Sequence, residues 1–207
     1  MKLALTCFVG LLTAGVLGAQ EVPRFSATIG GGFTEPLGNT GRNLDTGWNI
    51  QGGAGININS YLGIQVQGQF NDFGINGTTL TNLGYPGGDV HVFSATVDPV
   101  IHLNPKGHVD FYVIGGGGLY HTYQEFTQPS VETFVGYNPF FGFYNYGVPA
   151  SQVLSSYSVN KPGWNAGVGV AFGTKVHGKF FAESRYTHIY MSRGHIDYLP
   201  VTFGYRW

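Results

Sequence analysis

Residues 163–174 read GWNAGVGVAFGT, with apolar side chains at the even positions from 164 to 172 and small or polar ones between them. Successive side chains of a β-strand point to opposite faces, so this period of two predicts a strand with one apolar face. Residues 179–190 (KFFAESRYTHIY) and 196–207 (IDYLPVTFGYRW) repeat the alternation. Three such segments joined by short connections predict antiparallel β-structure.

The same period extends towards the amino terminus. It predicts five further strands, at about residues 25–34, 46–58, 61–71, 90–103 and 109–121. Within the third of these, Gln65, Gln67 and Gln69 stand opposite aliphatic residues, which is typical of a polar interior behind an apolar outer wall. Strands of roughly ten residues can cross a bilayer when tilted. The sequence therefore predicts an all-β fold, a closed eight-stranded antiparallel transmembrane β-barrel.

The connections between these segments alternate in length. Short ones at 59–60, 104–108 and 175–178 alternate with longer ones at about 35–45, 72–89, 122–162 and 191–195. Short turns on one side of the membrane and long loops on the other are typical of outer-membrane barrels. Aromatic residues fall at both ends of the strands, which predicts two girdles at headgroup level. The loop-side girdle is predicted from Phe33, Trp48, Trp164, Tyr190 and Tyr198, and the turn-side girdle from Phe25, Phe180, Tyr205 and Trp207.

The composition excludes several classes of protein. Charged residues make up 10% of the chain, against about 25% in soluble domains, and aromatic residues reach 15%. The net charge of −1 and the scattered basic residues argue against a nucleic-acid partner. Cys7 is the only cysteine, so no disulfide framework, cysteine metal site or thiol nucleophile is expected in the barrel. The histidines show no ligand spacing, and we predict neither a metal nor a cofactor.

Three stretches resemble a known family: Trp164–Phe172, Phe181–Tyr186 and Tyr198–Trp207. They are similar to the eight-stranded OmpA/OmpX-like outer-membrane barrel domains. The resemblance implies a Gram-negative outer-membrane protein that is exported through the periplasm and surrounded by outer-membrane lipid. It also implies that the aromatic carboxyl terminus, Trp207, is an assembly signal read by the barrel assembly machinery.

The amino terminus resembles an export signal. Lys2 precedes an apolar stretch, and small residues then lead to the polar Gln20 and Glu21, as in secretory signal peptides. The alternative is a retained membrane anchor, for which the stretch is near the lower length limit. We predict a signal peptide at residues 1–19 and an outer-membrane barrel domain at residues 20–207.

Four charged residues are predicted to face the barrel lumen: Asp98, Glu183, Arg185 and Arg206. An eight-stranded barrel has an interior just wide enough for side chains to fill it, and unpaired buried charge is costly. We therefore expect these groups to form a structural plug network. The alternative is a gate in a narrow ion or solute channel.

A catalytic alternative rests on His188. Some barrels of this shape are lipid A deacylases with a Ser-His-acid triad, in which serine follows histidine by two residues. That position is Tyr190 here, and the alternation turns both side chains towards lipid. We therefore predict that the protein is not an enzyme, and an outer-membrane lipid-modifying enzyme is the least favoured alternative.

The connection at 122–162 is rich in aromatic residues. We predict an interaction patch at Phe134, Tyr137, Phe140, Phe141, Phe143, Tyr144 and Tyr146, because an exposed apolar patch often marks a binding surface. The alternatives are that the rings pack over the barrel mouth or extend the hairpin above the membrane. The predicted role is structural or surface interaction through extracellular loops, with an extracellular ligand or surface partner.

Overall fold

The computed structural model describes residues 24–174 and 178–207. Its strands are β1 (Phe25–Pro36), β2 (Gly47–Asn57), β3 (Leu62–Gly74), β4 (Gly87–His102), β5 (Val109–Asn138), β6 (Gly142–Thr174), β7 (Gly178–Met191) and β8 (Gly194–Arg206). Each pairs antiparallel with the next, and β8 pairs with β1, which closes the barrel. The predicted fold class is confirmed. The predicted signal peptide and turn residues 175–177 lie outside the described residues.

The two faces of the wall follow the predicted alternation. On β2 and β3, Gln51 and Gln67 are buried inside the barrel, whereas Ile50 and Val66 are 49% and 58% exposed on the outside. Apolar side chains exposed in this way around the whole barrel would be unfavourable in water. They suit a hydrocarbon surrounding, and the closed ladder leaves no unpaired strand edge within it. None of the helices in the described part of the chain is long and apolar enough to cross a membrane.

Most of the predicted girdle aromatics lie on the outer surface. Phe33, Trp48 and Tyr190 are exposed at the loop ends of their strands, and Phe25 and Phe180 at the turn ends. Tyr198 differs from the prediction, because its side chain is fully buried inside the barrel. It has the same parity along β8 as the inward-facing Thr202, so the aromatic type was a poorer guide here than the alternation.

The segment at 122–162 is a pair of long strands and not a loop. β5 and β6 pair from Val109↔Phe172 to Asn138↔Gly142, with one register shift between Phe126 and Thr127. The neighbouring strands stop earlier, since the last partner of β4 on β5 is Thr127 and that of β7 on β6 is Gly163. Beyond them the hairpin is a free two-stranded ribbon. At about 3.3 Å per residue, the part from Gln128 to Asn138 is roughly 36 Å long.

Two shorter loops meet above the barrel mouth. The β1–β2 loop contains one 3-10 turn (Thr40–Arg42), and the β3–β4 loop contains helix α1 (Gly77–Leu83). The amide of Asn76 donates to the carbonyl of Asn43 at 2.8 Å, which ties the two loops together. The Asn76 side chain also caps α1 by accepting from the Thr78 amide. This arrangement holds both loops over one side of the opening.

Candidate functional site

The centre of the lumen is occupied by the guanidinium of Arg185, on β7. Its Nη1 lies 3.0 Å from Oδ2 of Asp98 on β4, and its Nε lies 2.5 Å from Oε1 of Glu183. Its Nη2 donates to Oε1 of Gln67, on β3, at 2.6 Å. Asp98 is 0% exposed, and Glu183 and Arg185 are each 4% exposed. Both carboxylates therefore contact the same single cation away from water.

Neutral side chains complete the hydrogen bonding of both carboxylates. Asp98 accepts from the Thr96 hydroxyl at 2.7 Å and from the Asn165 amide at 2.9 Å. Glu183 accepts from the Tyr112 hydroxyl at 2.9 Å. Such a network is stable only when its members are satisfied, and these donors come from the three consecutive strands β4, β5 and β6. The alternation predicts that these side chains face inwards, but it does not give their heights, so the sequence did not reveal them as partners.

Arg206, the fourth predicted member, does not join this network. Its guanidinium carbon lies 4.6 Å from the centroid of the Tyr112 ring and 5.7 Å from that of Phe181. Among the described residues it makes no ion pair, and its buried Nε has no hydrogen-bond partner. The register explains the difference. Thr202 is the β8 residue opposite Glu183, whereas Arg206 lies opposite Lys179, closer to the turn end of the barrel. The prediction that all four charges would pair is wrong for Arg206.

Glycines on β5 and β6 provide the room that these side chains need. A Cβ at Gly169 would lie 2.2 Å from the Tyr112 ring, and one at Gly116 would lie 2.5 Å from Oδ1 of Asp98. These distances are far below ordinary van der Waals contact, so any larger residue would displace the network. The glycine-rich alternation of the two strands therefore reflects lumen packing.

Apolar clusters lie on both sides of the charged centre. The cluster towards the extracellular loops contains Phe73, Ile75, Val90, Val92, Tyr120, Ile189 and Tyr198. The cluster towards the turns contains Val100, Tyr112, Ile114, Ala171 and Phe181. An ion crossing the barrel would have to lose its water beside apolar side chains and also separate a buried ion pair, and both steps are costly.

The predicted interaction patch lies at the end of the free ribbon; we call it the aromatic tip (Phe134, Tyr137, Phe140, Phe141, Phe143, Tyr144 and Tyr146). Phe140 is 94% exposed and Phe143 is 78% exposed. The rings contact one another across the ribbon, with centroids 5.1 Å apart for Tyr137–Phe143 and 5.9 Å apart for Phe134–Tyr146. These rings lie on paired strands and their turn, so they are held in a defined array.

His188 lies on the outer surface near the loops. Its Nδ1 is 2.6 Å from Oδ1 of Asp197, a partner that the sequence reasoning missed. Its ring stands edge-on to that of Tyr190, with centroids 4.9 Å apart. The hydroxyl of Ser192 accepts from Nζ of Lys161 at 2.7 Å. In the part of the chain that the structure describes, no group of three or more His, Cys, Asp or Glu residues could hold a metal ion.

A comparison with family profiles assigns this barrel. The profile described as outer membrane protein beta-barrel domain matches residues 4–206. The chain belongs to the outer-membrane β-barrel domain family. Its members lie in the bacterial outer membrane, and the predicted localisation is confirmed. A search of curated proteins found no significant match.

Several solved structures are similar to this chain at low sequence identity. Neisserial surface protein A is 15% identical with a TM-score of 0.56, and the alignment covers 92% of this chain and 98% of that protein. The attachment invasion locus protein Ail of Yersinia pestis, solved with the heparin analogue sucrose octasulfate, is 20% identical with a TM-score of 0.48, covering 88% and 97%. OprG of Pseudomonas aeruginosa is 11% identical with a TM-score of 0.49, covering 91% and 99%.

The carboxyl terminus of this outer-membrane barrel completes its closure. The backbone amide of Trp207 donates to the carbonyl of Ala27 at 3.0 Å, and the Ala27 amide donates back at 2.8 Å. The Trp207 side chain is exposed on the outside and lies beside Tyr205, with ring centroids 5.8 Å apart. The backbone of Trp207 therefore pairs with β1, while its ring is exposed on the outer surface at the turn-side girdle.

Proposed function

We propose that this outer-membrane barrel acts in surface interaction, with the aromatic tip as its recognition surface and without enzymatic activity. The observation that carries the proposal is the exposure of the tip. It lies at the end of a ribbon that extends roughly 36 Å beyond the neighbouring strands of the barrel. Protein surfaces that face water rarely carry contiguous apolar patches of this kind unless the patch is a binding site. Large rigid rings are also the side chains that contribute most to binding at interfaces.

The charge of the ribbon indicates the kind of partner. From Thr127 to Tyr157 its only charged residue is Glu132. A polyanionic partner would need basic side chains, which this segment lacks. The expected partner is therefore an extracellular protein that presents an apolar patch, and the contact would be driven mainly by burial of aromatic surface.

The strand pairing below the tip suggests a way to remove it that we expect to leave the barrel folded. Thr133 pairs with Gly147 directly below it, so residues 134–146 can be replaced by Asn-Gly, which favours a two-residue hairpin turn. The variant and the natural protein would be displayed on a non-adherent Gram-negative strain. Retention of the cells on an epithelial monolayer and settling of the cell suspension would then be measured. Loss of binding by the variant, with unchanged heat-modifiable migration of the folded barrel, is the expected result.

A matched pair of multiple variants tests the chemistry of the tip. Changing Tyr137, Phe140 and Phe143 to serine should abolish binding. Changing Val131 and Val135 to serine should leave it intact, although both valines are about as exposed as the aromatic residues. Binding that survives the Asn-Gly replacement, or a natural protein that binds neither surface, would contradict the proposal.

Three further assignments complete the proposal. Residues 1–19 are the secretory signal peptide, and Trp207 is the assembly signal for the barrel assembly machinery.

Asp98, Glu183 and Arg185 form a structural plug and not a gate. The plug is supported by full hydrogen bonding of the carboxylates and by the apolar clusters on either side. Against a triad at His188, the position two residues later carries Tyr190.

A further inference from the structure

We infer that the turn-side end of the lumen holds a binding site for a phosphate group, with Lys179 and Arg206 as its ligands. Lys179 of β7 and Arg206 of β8 lie directly opposite each other in the strand pairing. Both have the same parity as the buried residues Phe181 and Thr202, so both face the lumen. Like charges directly opposite each other on one face of a sheet are destabilising. A bound anion would relieve this repulsion.

The acidic side chains of the lumen do not neutralise this pair. Among the described lumen residues at the turn-side end, Asp110 is the only acidic side chain. Its Oδ2 lies 2.6 Å from Nδ1 of His102 but 3.9 Å from Nζ of Lys179. Glu183 lies four residues, or roughly 13 Å, further along β7 and already belongs to the central network. With His102 neutral, this end of the lumen therefore carries one positive charge in excess.

Arg206 is held in place by aromatic rings and not by an acid. Its guanidinium carbon lies 4.6 Å from the centroid of the Tyr112 ring and 5.7 Å from that of Phe181. Of its three guanidinium nitrogens, only Nε is buried without a partner. The side chain as a whole is partly exposed, so the two Nη atoms are the part that solvent reaches. Parallel N–H donors of this kind fit the oxygens of a phosphate.

The pair is accessible from the end of the barrel. The side chains of Lys179 and His102 are 17% and 13% exposed, and both face the lumen. Deeper in the lumen Tyr112 and Phe181 are buried, so they close the site from the central network. An anion can therefore reach the two cations from the turn side without crossing the barrel. A phosphate has enough oxygens to contact a guanidinium and an ammonium together, and lysine binds phosphate as a point charge.

The binding test uses inorganic phosphate as the probe. The protein, labelled with ¹⁵N-arginine, would be folded in nanodiscs of zwitterionic lipid, and phosphate would replace chloride at constant ionic strength and pH. The guanidinium signal of Arg206 should shift saturably. The signals of Arg42, in the extracellular β1–β2 loop, and of Arg185, in the central network, should not follow it.

Variants then locate the binding. Lys179→Gln should weaken phosphate binding by about tenfold or more, because it removes one of two charged ligands. Lys106→Gln, in the exposed β4–β5 turn at the same end of the barrel, is the matched control and should change the affinity little. Asp110→Asn should strengthen binding, since it removes the carboxylate nearest to the anion. A purely structural role of Asp110 predicts no such gain.

Two further arms identify the source of the phosphate group. If a lipid headgroup occupies the site, adding phosphatidylglycerol to the nanodiscs should lower the apparent affinity for inorganic phosphate. If the natural ligand is a soluble phosphate compound, the lipid should have no effect. Replacing residues 134–146 by Asn-Gly should leave phosphate binding unchanged, so the result does not depend on the recognition role of the aromatic tip.

Two results would overturn the inference. The first is an Arg206 signal that does not shift, or that shifts only in proportion to the signal of Arg42. The second is an equal loss of affinity in Lys179→Gln and Lys106→Gln, which would indicate general attraction to the turn-side surface. Each variant must first show heat-modifiable migration. The Arg206 signal is read in the natural protein, so the first test stands even if a variant does not fold.

Discussion

Replacing Arg185 by methionine removes the single guanidinium that Asp98 and Glu183 share. The carboxylates would keep their neutral donors, namely Thr96 and Asn165 for Asp98 and Tyr112 for Glu183, but they would lose their countercharge. Breaking a buried ion pair by removing one partner costs about 3–5 kcal/mol. We expect a loss of this size in the free energy of unfolding, because both carboxylates are nearly inaccessible to water.

Removing one of the two carboxylates should lower the free energy of unfolding less than removing the guanidinium. The network holds two carboxylates and one guanidinium, so Asp98→Asn leaves the closer pair, Arg185 and Glu183, in a one-to-one balance. We expect it to cost about 1 kcal/mol, the net value of one hydrogen bond. The triple variant Asp98→Asn, Glu183→Gln, Arg185→Met removes all charge and should recover most of the stability lost in Arg185→Met.

Urea unfolding in lipid vesicles, followed by tryptophan fluorescence, would measure these differences. Cells expressing each variant would show whether the barrel still assembles. If Arg185→Met costs less than about 1 kcal/mol, or if Asp98→Asn is equally damaging, the carboxylates do not depend on the guanidinium as described. A triple variant as unstable as Arg185→Met would also refute the reasoning.

Other expectations concern the wall and the lumen. Val168→Arg on the lipid face should lower the free energy of unfolding by about 2–4 kcal/mol, and a negligible effect in the same urea assay would mean that Val168 does not face hydrocarbon. Gly169→Ala, whose Cβ would meet Tyr112 at 2.2 Å, should cost about 1–3 kcal/mol. Gly52→Ala, with its nearest atom at 3.8 Å, is the matched control and should be nearly neutral. Purified protein in a planar bilayer should show no discrete conductance steps, and reproducible steps would contradict the packed lumen.

The facing of residues in the barrel wall was predictable because period-two alternation depends only on local geometry. The pairing of Arg185 with Asp98 was harder to foresee, because it depends on the stagger between β4 and β7, which no local pattern encodes. Arg206 shows the limit, since the alternation predicts that it faces the lumen but does not give its distance from Arg185 along the barrel axis. The same limit hides Gly169, which looks like a tolerant lumen position until the Tyr112 ring is placed beside it.

The ribbon was left open for a different reason: an extended hairpin above the membrane was one of the alternatives for residues 122–162, but no periodic pattern favoured it. A strand in the barrel wall has one face towards lipid and one towards the lumen, and this contrast produces the alternation. Above the membrane both faces of β5 and β6 meet the same surroundings, so the periodic signal disappears although the pairing continues. Pro129 and Pro149 also interrupt the expected strand pattern.

The ion cluster joins parts of the chain that are made far apart in time. Arg185 is separated by 87 residues from Asp98 and by 118 from Gln67, so none of these contacts exists in a fragment containing only one half of the strands. An incomplete sheet inserted into lipid would contain the Asp98 carboxylate without its Arg185 partner, or Arg185 without Asp98. We expect such an intermediate to be disfavoured until the final strands arrive, so that the last step of assembly is cooperative and half-built sheets do not persist in the membrane.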